Sequence, residues 1–364
     1  MKTNMLSRRE FLRQCVGLTA GVTIASLTAK PWDLLFADEK PAVSIVKIKN
    51  DNIPYAVEKA IDLLGGIETL TKGKDRIMLK PNLTGPDPKA TTKPEVIKTL
   101  AQLMKKSGKE VSIGEGSAGA PGFNIKNRIV CRTRNKEILD DMQQFIFDKL
   151  GYFSLAKSMK IPLINLHSGE MVDVMVPKAY VFEKITLHRS LTDIDLLCSV
   201  PMMKTHALAQ VTLGMKNLFG LFPGSIYYAV RGLVHELTGE IEPSGTAAAI
   251  VDMVRANKCG LVVIDGSTAM EGQGPSLGPI VKTDLIIAGM NPLATDIVAA
   301  NIMGFEPEEI PTFVWAGKAA MKPTRVEEIE VRGEPIANVR RNFARARIIP
   351  WAAISNTFGK KEVI

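Results

Sequence analysis

Four places in the chain put ionisable side chains directly after apolar runs. The first is Lys80-Pro81-Asn82, which closes the run Arg76–Lys80. A lysine there can bind an anion at a sheet edge, and a solvated strand end is the alternative. The second is Gly114-Glu115-Gly116-Ser117-Ala118-Gly119, after Glu110–Ile113. The third is Lys204-Thr205-His206 after Pro201, with Lys216-Asn217 beyond it. Lysine can hold a phosphate or carboxylate, or act as a base when desolvated, and histidine can shuttle protons. The fourth is Asp265-Gly266, followed by Glu271 in the glycine-dense Glu271–Gly278. Carboxylates beside such glycines can bind a hard cation such as Mg²⁺. Asp296 opens a helical stretch at Pro292, where either a site role or helix N-terminal stabilisation fits.

These types suggest a division of labour. His206 and Lys204 are the candidate catalytic pair. Lys80, Asn82, Ser117, Lys216 and Asn217 are candidate contacts to a small anionic substrate. Glu115, Asp265, Glu271 and Asp296 are candidate carboxylates for a divalent metal or for proton transfer. The second place also matches G-x-G-x-x-G. However, Pro121-Gly122 stands where a helix should open, and Arg132–Lys136 where an acid should hold a ribose. It reads as a tight loop exposing Glu115 and Ser117. His167, His188 and His235 lack comparable neighbours and read as structural, although Glu236 adjoins His235.

Such residues need a frame. Apolar runs at 43–48, 76–80, 110–113, 194–200, 261–265 and 284–289 read as strands. Helical spacing runs over 54–64, 94–106, 138–150, 246–257 and 292–303. This alternation predicts an α/β fold with a mostly parallel central sheet flanked by helices. Ligands of such sheets sit outside the carboxyl ends of the strands, which is where the polar clusters fall. Closely spaced runs at 162–166, 172–176 and 181–187 predict a smaller antiparallel β insertion in the middle, within about 120–190. The stretch 126–136 reads as an exposed basic loop, and 326–364 as a basic tail after an α/β domain at 38–325.

Composition narrows the partners. The chain has 364 residues, is 46% hydrophobic and carries a net charge of +8. That charge favours anionic ligands or solubility. It is dispersed, with no basic stripe interleaved with aromatics, so nucleic acid is not an expected partner. Of the four cysteines, Cys15 lies near the start, and Cys131, Cys198 and Cys259 form no Cys-x-x-Cys pair. No iron–sulfur cluster or disulfide framework is expected; Cys198 and Cys259 read as small buried hydrophobes.

The segment 1–37 reads as an export signal. Arg8 and Arg9 are followed at once by Phe11-Leu12 and the mild apolar stretch Val16–Leu27. This resembles the twin-arginine signal, which implies the Tat translocon as partner and a folded body outside the cytoplasm. Cleavage near Ala37 is expected. An uncleaved leader would tether the body to the membrane, and no later span is expected.

A second resemblance spans most of 43–305. Lys204-Thr205-His206, Lys216–Gly220, Met270–Pro275, Ala294-Thr295-Asp296 and Met303-Gly304 occur in an order that resembles domain-of-unknown-function family 362. Lys80-Pro81-Asn82 and the segment at Gly114 fit it too. The resemblance implies an α/β domain without an agreed activity. Some members carry ferredoxin-like cysteine motifs, which this chain lacks. Two functions remain open: an enzyme acting on a small anion with a divalent metal or preloaded cofactor, and a non-catalytic ligand-binding or assembly protein of the cell envelope.

Overall fold

The computed structural model describes residues 40–126, 129–241 and 244–349, and the backbone of Phe358–Glu362. The leader with Arg8 and Arg9 lies outside the described residues. Ten strands form the central sheet. They are β1 (Ala42–Lys47), β2 (Arg76–Pro81), β3 (Glu110–Glu115), β4 (Leu163–Asn165), β5 (Leu196–Val200), β6 (Met202–His206), β7 (Gln210–Thr212), β8 (Cys259–Met270), β9 (Ile280–Gly289) and β10 (Glu330–Gly333). Their order is β10-β1-β9-β8-β5-β2-β3-β4; β6 runs beside β8, and β7 pairs with β6. The ladders are parallel except around β9, antiparallel to β1 and β8, and between β6 and β7.

Both faces of this sheet are covered, as a mostly parallel sheet requires. Alternate side chains of one strand therefore enter opposite cores. On β8, Leu261 and Val263 enter one core, and Val262 and Ile264 enter the other. The first core is closed by helices Ile53–Leu63, Pro94–Lys106 and Lys136–Lys149. The second is closed by Gly245–Ala256 and Pro292–Ile302. Several helices begin where the sequence indicates, because a polar side chain there accepts an otherwise unpaired N–H. Asn52 accepts from Tyr55, Asn135 from Ile138, Ser244 from Ala247 and Asn291 from Ala294.

Four local expectations are corrected. The run 162–166 is not part of an antiparallel hairpin; β4 lies parallel to β3 at the sheet edge. The antiparallel element of that region is the pair Met171–Met175 and Lys184–His188. The stretch 126–136 contains a strand, Ile129–Arg132, paired with Ile125–Lys126 and with Phe358–Glu362. Strand β8 does not stop at Asp265 but continues to Met270, with a register shift between Gly266 and Thr268. Lys204 and His206 do not merely follow a strand that ends at Pro201; they lie on a strand of their own, β6, because β7 and β8 satisfy that backbone from both sides.

Helix Gly245–Ala256 backs the turns that carry Lys216 and Phe219. Buried Asp252 fastens it by accepting from the N–H groups of Tyr180, Val181 and Phe182 at 2.8, 2.7 and 2.9 Å. Asp252→Ala leaves these donors without their charged acceptor and is expected to lower stability by about 2–4 kcal/mol. Urea unfolding measures this, and a loss under about 0.5 kcal/mol would contradict the anchoring role.

Candidate functional site

Strands β2, β3 and β5 lie side by side and end together. Lys80 pairs in register with Ser199, and Leu79 with Ile113, which brings Lys80 and Glu115 to the same sheet edge. Both side chains are buried. The Lys80 ammonium donates to both Glu115 carboxylate oxygens at 2.9 Å, to Asn217 Oδ1 at 3.1 Å and to the Pro81 carbonyl at 3.1 Å. Glu115 also accepts from the N–H groups of Gly116 at 2.8 Å and Leu83 at 3.2 Å. The ion pair is thus enclosed by hydrogen bonds, the condition for burying two charges. A Cβ on Gly220 would stand 2.8 Å from both Glu115 Oε1 and Lys80 Nζ, so the chain closes over the pair only because residue 220 is glycine.

Asn217 joins this pair to its surroundings. Its amide nitrogen donates to the Lys80 carbonyl at 3.1 Å and Ser199 Oγ at 3.0 Å, and its oxygen also accepts from Asn82 at 3.2 Å. The turn Gly214–Asn217 is fixed by Asp296, which accepts from the N–H groups of Gly214 at 2.7 Å and Met215 at 2.8 Å.

Above the pair lies a cavity of about 450 Å³. Its lining includes Lys80, Asn82, Glu115, His206, Lys216, Asn217, Arg231 and His235, with apolar walls from Leu83, Val130, Leu208 and Phe219. Sequence reasoning places six of these eight polar residues in a site. It misses Arg231 and reads His235 as structural. Arg231 is buried and donates to the carbonyls of Gly116, Ser117, Gly220 and Phe222. Its backbone, like that of Tyr228 and Val230, lies in the left-handed region at φ of 59°, 61° and 53°. Strain of this kind costs about 1–3 kcal/mol per residue and persists only where its surroundings enforce it. No motif announces it in the sequence.

The cations of this cavity differ in their partners. Lys80 has Glu115. Lys216 Nζ sits 4.4 Å from the centre of the Phe219 ring, with no hydrogen-bonding or acidic partner among the described residues. Burial pushes the Lys216 amine down to about 7, with Arg231 and then Lys80 adding repulsion. Burial also pushes the Arg231 guanidinium down, to about 10, against the pull of Glu115. His206 Nδ1 accepts from the Leu208 N–H at 3.0 Å, so the neutral ring carries its proton on Nε2. Burial, then Lys216, Lys204 and His235, hold His206 well below its ordinary value. The ring is therefore an N–H donor at neutral pH rather than a base. His235 is held down to about 3 by burial, then Lys216 and Arg231.

Other expected site residues lie elsewhere. Lys204 is fully buried and not among the lining residues; its amine donates to the Ala90 carbonyl at 2.8 Å. Ser117 is buried, with its N–H on Gln143. The four expected metal carboxylates are not brought together. Glu115 serves Lys80, and Asp296 serves the turn at Gly214. Asp265 accepts from Lys93 N–H at 2.9 Å and from Ser267, and Glu271 from Ala344 N–H at 3.0 Å. Among the described residues no group of three or more His, Cys, Asp or Glu could hold a metal ion. The glycines of 114–119 make room for Met78, Arg231 and Asn124 rather than for a pyrophosphate, and no helix opens on them. His167, read as structural, contacts the Ser117 carbonyl at 2.8 Å and accepts from Gly224 N–H at 3.0 Å.

Comparison with known proteins gives a family and distant relatives. The family described as Domain of unknown function (DUF362) matches residues 77–301. A protein named as thylakoid-associated, from Synechocystis sp., is 27% identical over 270 residues, covering 73% of this chain and 75% of that one. The solved lactate racemase apoprotein of Thermoanaerobacterium thermosaccharolyticum aligns at 16% identity, over 72% of this chain and 55% of that one, with a TM-score of 0.40. A Thermotoga maritima protein aligns at 14% identity, over 70% and 57%, with a TM-score of 0.37. The chain thus spans little more than half the length of either solved structure.

The buried Lys204 amine is pushed down to about 7, by burial first and then by Lys216, against Glu115. An unfolded lysine titrates near 10.4, so between these values the unfolded chain binds more protons and stability rises with pH. Lys204→Met is expected to remove about 2 kcal/mol of the stability gained between pH 7 and pH 9. Urea unfolding of both proteins at the two pH values tests this; parallel pH profiles would contradict it.

Proposed function

We propose, for a chain that belongs to the DUF362 family, that the cavity at the ends of β2, β3 and β5 binds a small organic anion with an apolar body. One observation carries this reading: Lys216 lines the cavity and its amine has no acidic partner among the described residues, whereas the neighbouring Lys80 is neutralised by Glu115. Arg231 adds a second positive charge whose donors are spent on carbonyls rather than on a carboxylate. A carboxylate or phosphate oxygen supplies the missing counter-charge. The neutral N–H of His206 adds a donor, and Leu83, Leu208 and Phe219 receive the apolar part. A lysine titrating near 7 also supports proton transfer to or from the bound molecule at neutral pH.

The anion favours the ammonium form of Lys216, so binding takes up a proton. Affinity for 3-phenylpropionate is expected to fall by about tenfold per pH unit above pH 7, and Lys216→Met to weaken it by about tenfold or more. Calorimetry in two buffers of different ionisation enthalpy reads both affinity and proton uptake. An affinity independent of pH, or undiminished in Lys216→Met, would overturn the reading.

We further propose that this folded body works outside the cytoplasm after export by the twin-arginine route. Arg8-Arg9 with Phe11-Leu12 supports this, as does the thylakoid association in the name of the Synechocystis relative. Among the described residues no helix is long and apolar enough to cross a membrane. Replacing Arg8 and Arg9 together by lysine is expected to retain the protein in the cytoplasm. Cell fractionation reads this, and unchanged export would refute it.

A further inference from the structure

We infer that Lys216 is a carbonyl-capturing amine, and that the anion of this site is a 2-oxo acid which it holds as a Schiff base. The inference rests on the anion-binding reading above and adds a covalent step to it. Three geometric observations carry it. Lys216 and the Phe219 ring beneath its amine both line a cavity of about 450 Å³, large enough for a small molecule. Among the described residues the amine has no hydrogen bond and no carboxylate to occupy its lone pair or fix its proton; its near neighbour is the Phe219 ring face at 4.4 Å. Of the carboxylates that line the cavity, Glu115 is held by Lys80 and two backbone N–H groups, and Asp87 accepts from the Lys89 N–H.

The remaining groups that act on Lys216 keep the amine nucleophilic. Arg231 and Lys80 are cationic, and His206 and His235 are held neutral. Cations beside a desolvated lysine are a recognised way to make it reactive at neutral pH. A surface lysine, by contrast, is almost wholly protonated there.

The charge balance selects the substrate class. The neutral amine attacks the carbonyl carbon, and the carbonyl π pair moves onto oxygen, which takes a proton to give a carbinolamine. Loss of water then forms the C=N bond. With one proton drawn from solvent, the product is a protonated imine and one water. The imine carries one positive charge, brought by that proton. A carboxylate next to the carbonyl, as in a 2-oxo acid, pairs with it. The His206 N–H is a donor available to the departing oxygen.

The test is reductive trapping of the full chain with phenylpyruvate and cyanoborohydride at pH 7, followed by intact mass and peptide mapping. One reduced adduct is expected, at Lys216, and 3-phenylpropionate is expected to suppress it. Lys216→Arg, which keeps a positive charge without the nucleophile, is expected to lose the adduct; circular dichroism verifies its fold. Adducts on exposed lysines only, or none, with 3-phenylpropionate still bound, would overturn the Schiff base and leave the anion reading standing. Loss of 3-phenylpropionate binding in the parent protein is a failure of the anion reading itself.

Discussion

The buried pair of Lys80 and Glu115 is the constraint on which the site depends. Two opposite charges out of water are stable together only when every remaining donor and acceptor is met. Here the strand ends, Asn217, and the N–H groups of Leu83 and Gly116 do this. The requirement fixes more than the pair. It sets the register of β2, β3 and β5, places the turn carrying Asn217, and demands glycine at 220. Breaking one partner would leave a buried charge alone, with a cost of about 3–5 kcal/mol. The pair is thus a scaffold for the site rather than its reactive centre.

Its chemical consequence lies one turn away. Of the two carboxylates that line the cavity, Asp87 caps the Lys89 N–H and Glu115 is committed to Lys80. Lys216 is held beside it by the Gly214–Asn217 turn, which Asp296 anchors from the opposite side. The site therefore contains one satisfied cation, one cation bound to carbonyls, and one amine over the Phe219 ring. Neutral His206 and His235 complete it as donors and contacts, since burial and the nearby positive charge oppose their protonation. An anion would relieve this excess, which is why charge, more than shape, directs the functional reading.

The α/β class and most element positions were legible in the sequence, because apolar periodicity and helix caps are local signals. Lys80, Asn82, Glu115, His206, Lys216 and Asn217 were legible as well, since polar residues beyond strand ends stand out against apolar runs. Three things were not. Asp265 looked like a strand end, because Gly266 hides a strand that bends and continues to Met270. Lys204 looked like the catalytic partner of His206, whereas β6 turns it into the interior, where the Ala90 carbonyl takes its amine. Arg231 looked like an ordinary basic residue, since its role comes from a strained backbone and four carbonyls contributed by distant turns. Carboxylates that share a sheet edge in the sequence pattern also diverged once each met its own backbone donors.

The central claim is that Lys216, alone among the ionisable groups of this cavity, is an amine without an acidic partner and poised to change protonation near neutrality. A ¹³Cε–¹⁵Nζ NMR titration of the lysine side chains, with Lys216 assigned from the spectrum of Lys216→Arg, measures this directly. The account predicts that the Lys216 signal titrates at about 7. A signal that titrates near 10.4, as in an unperturbed lysine, would contradict it.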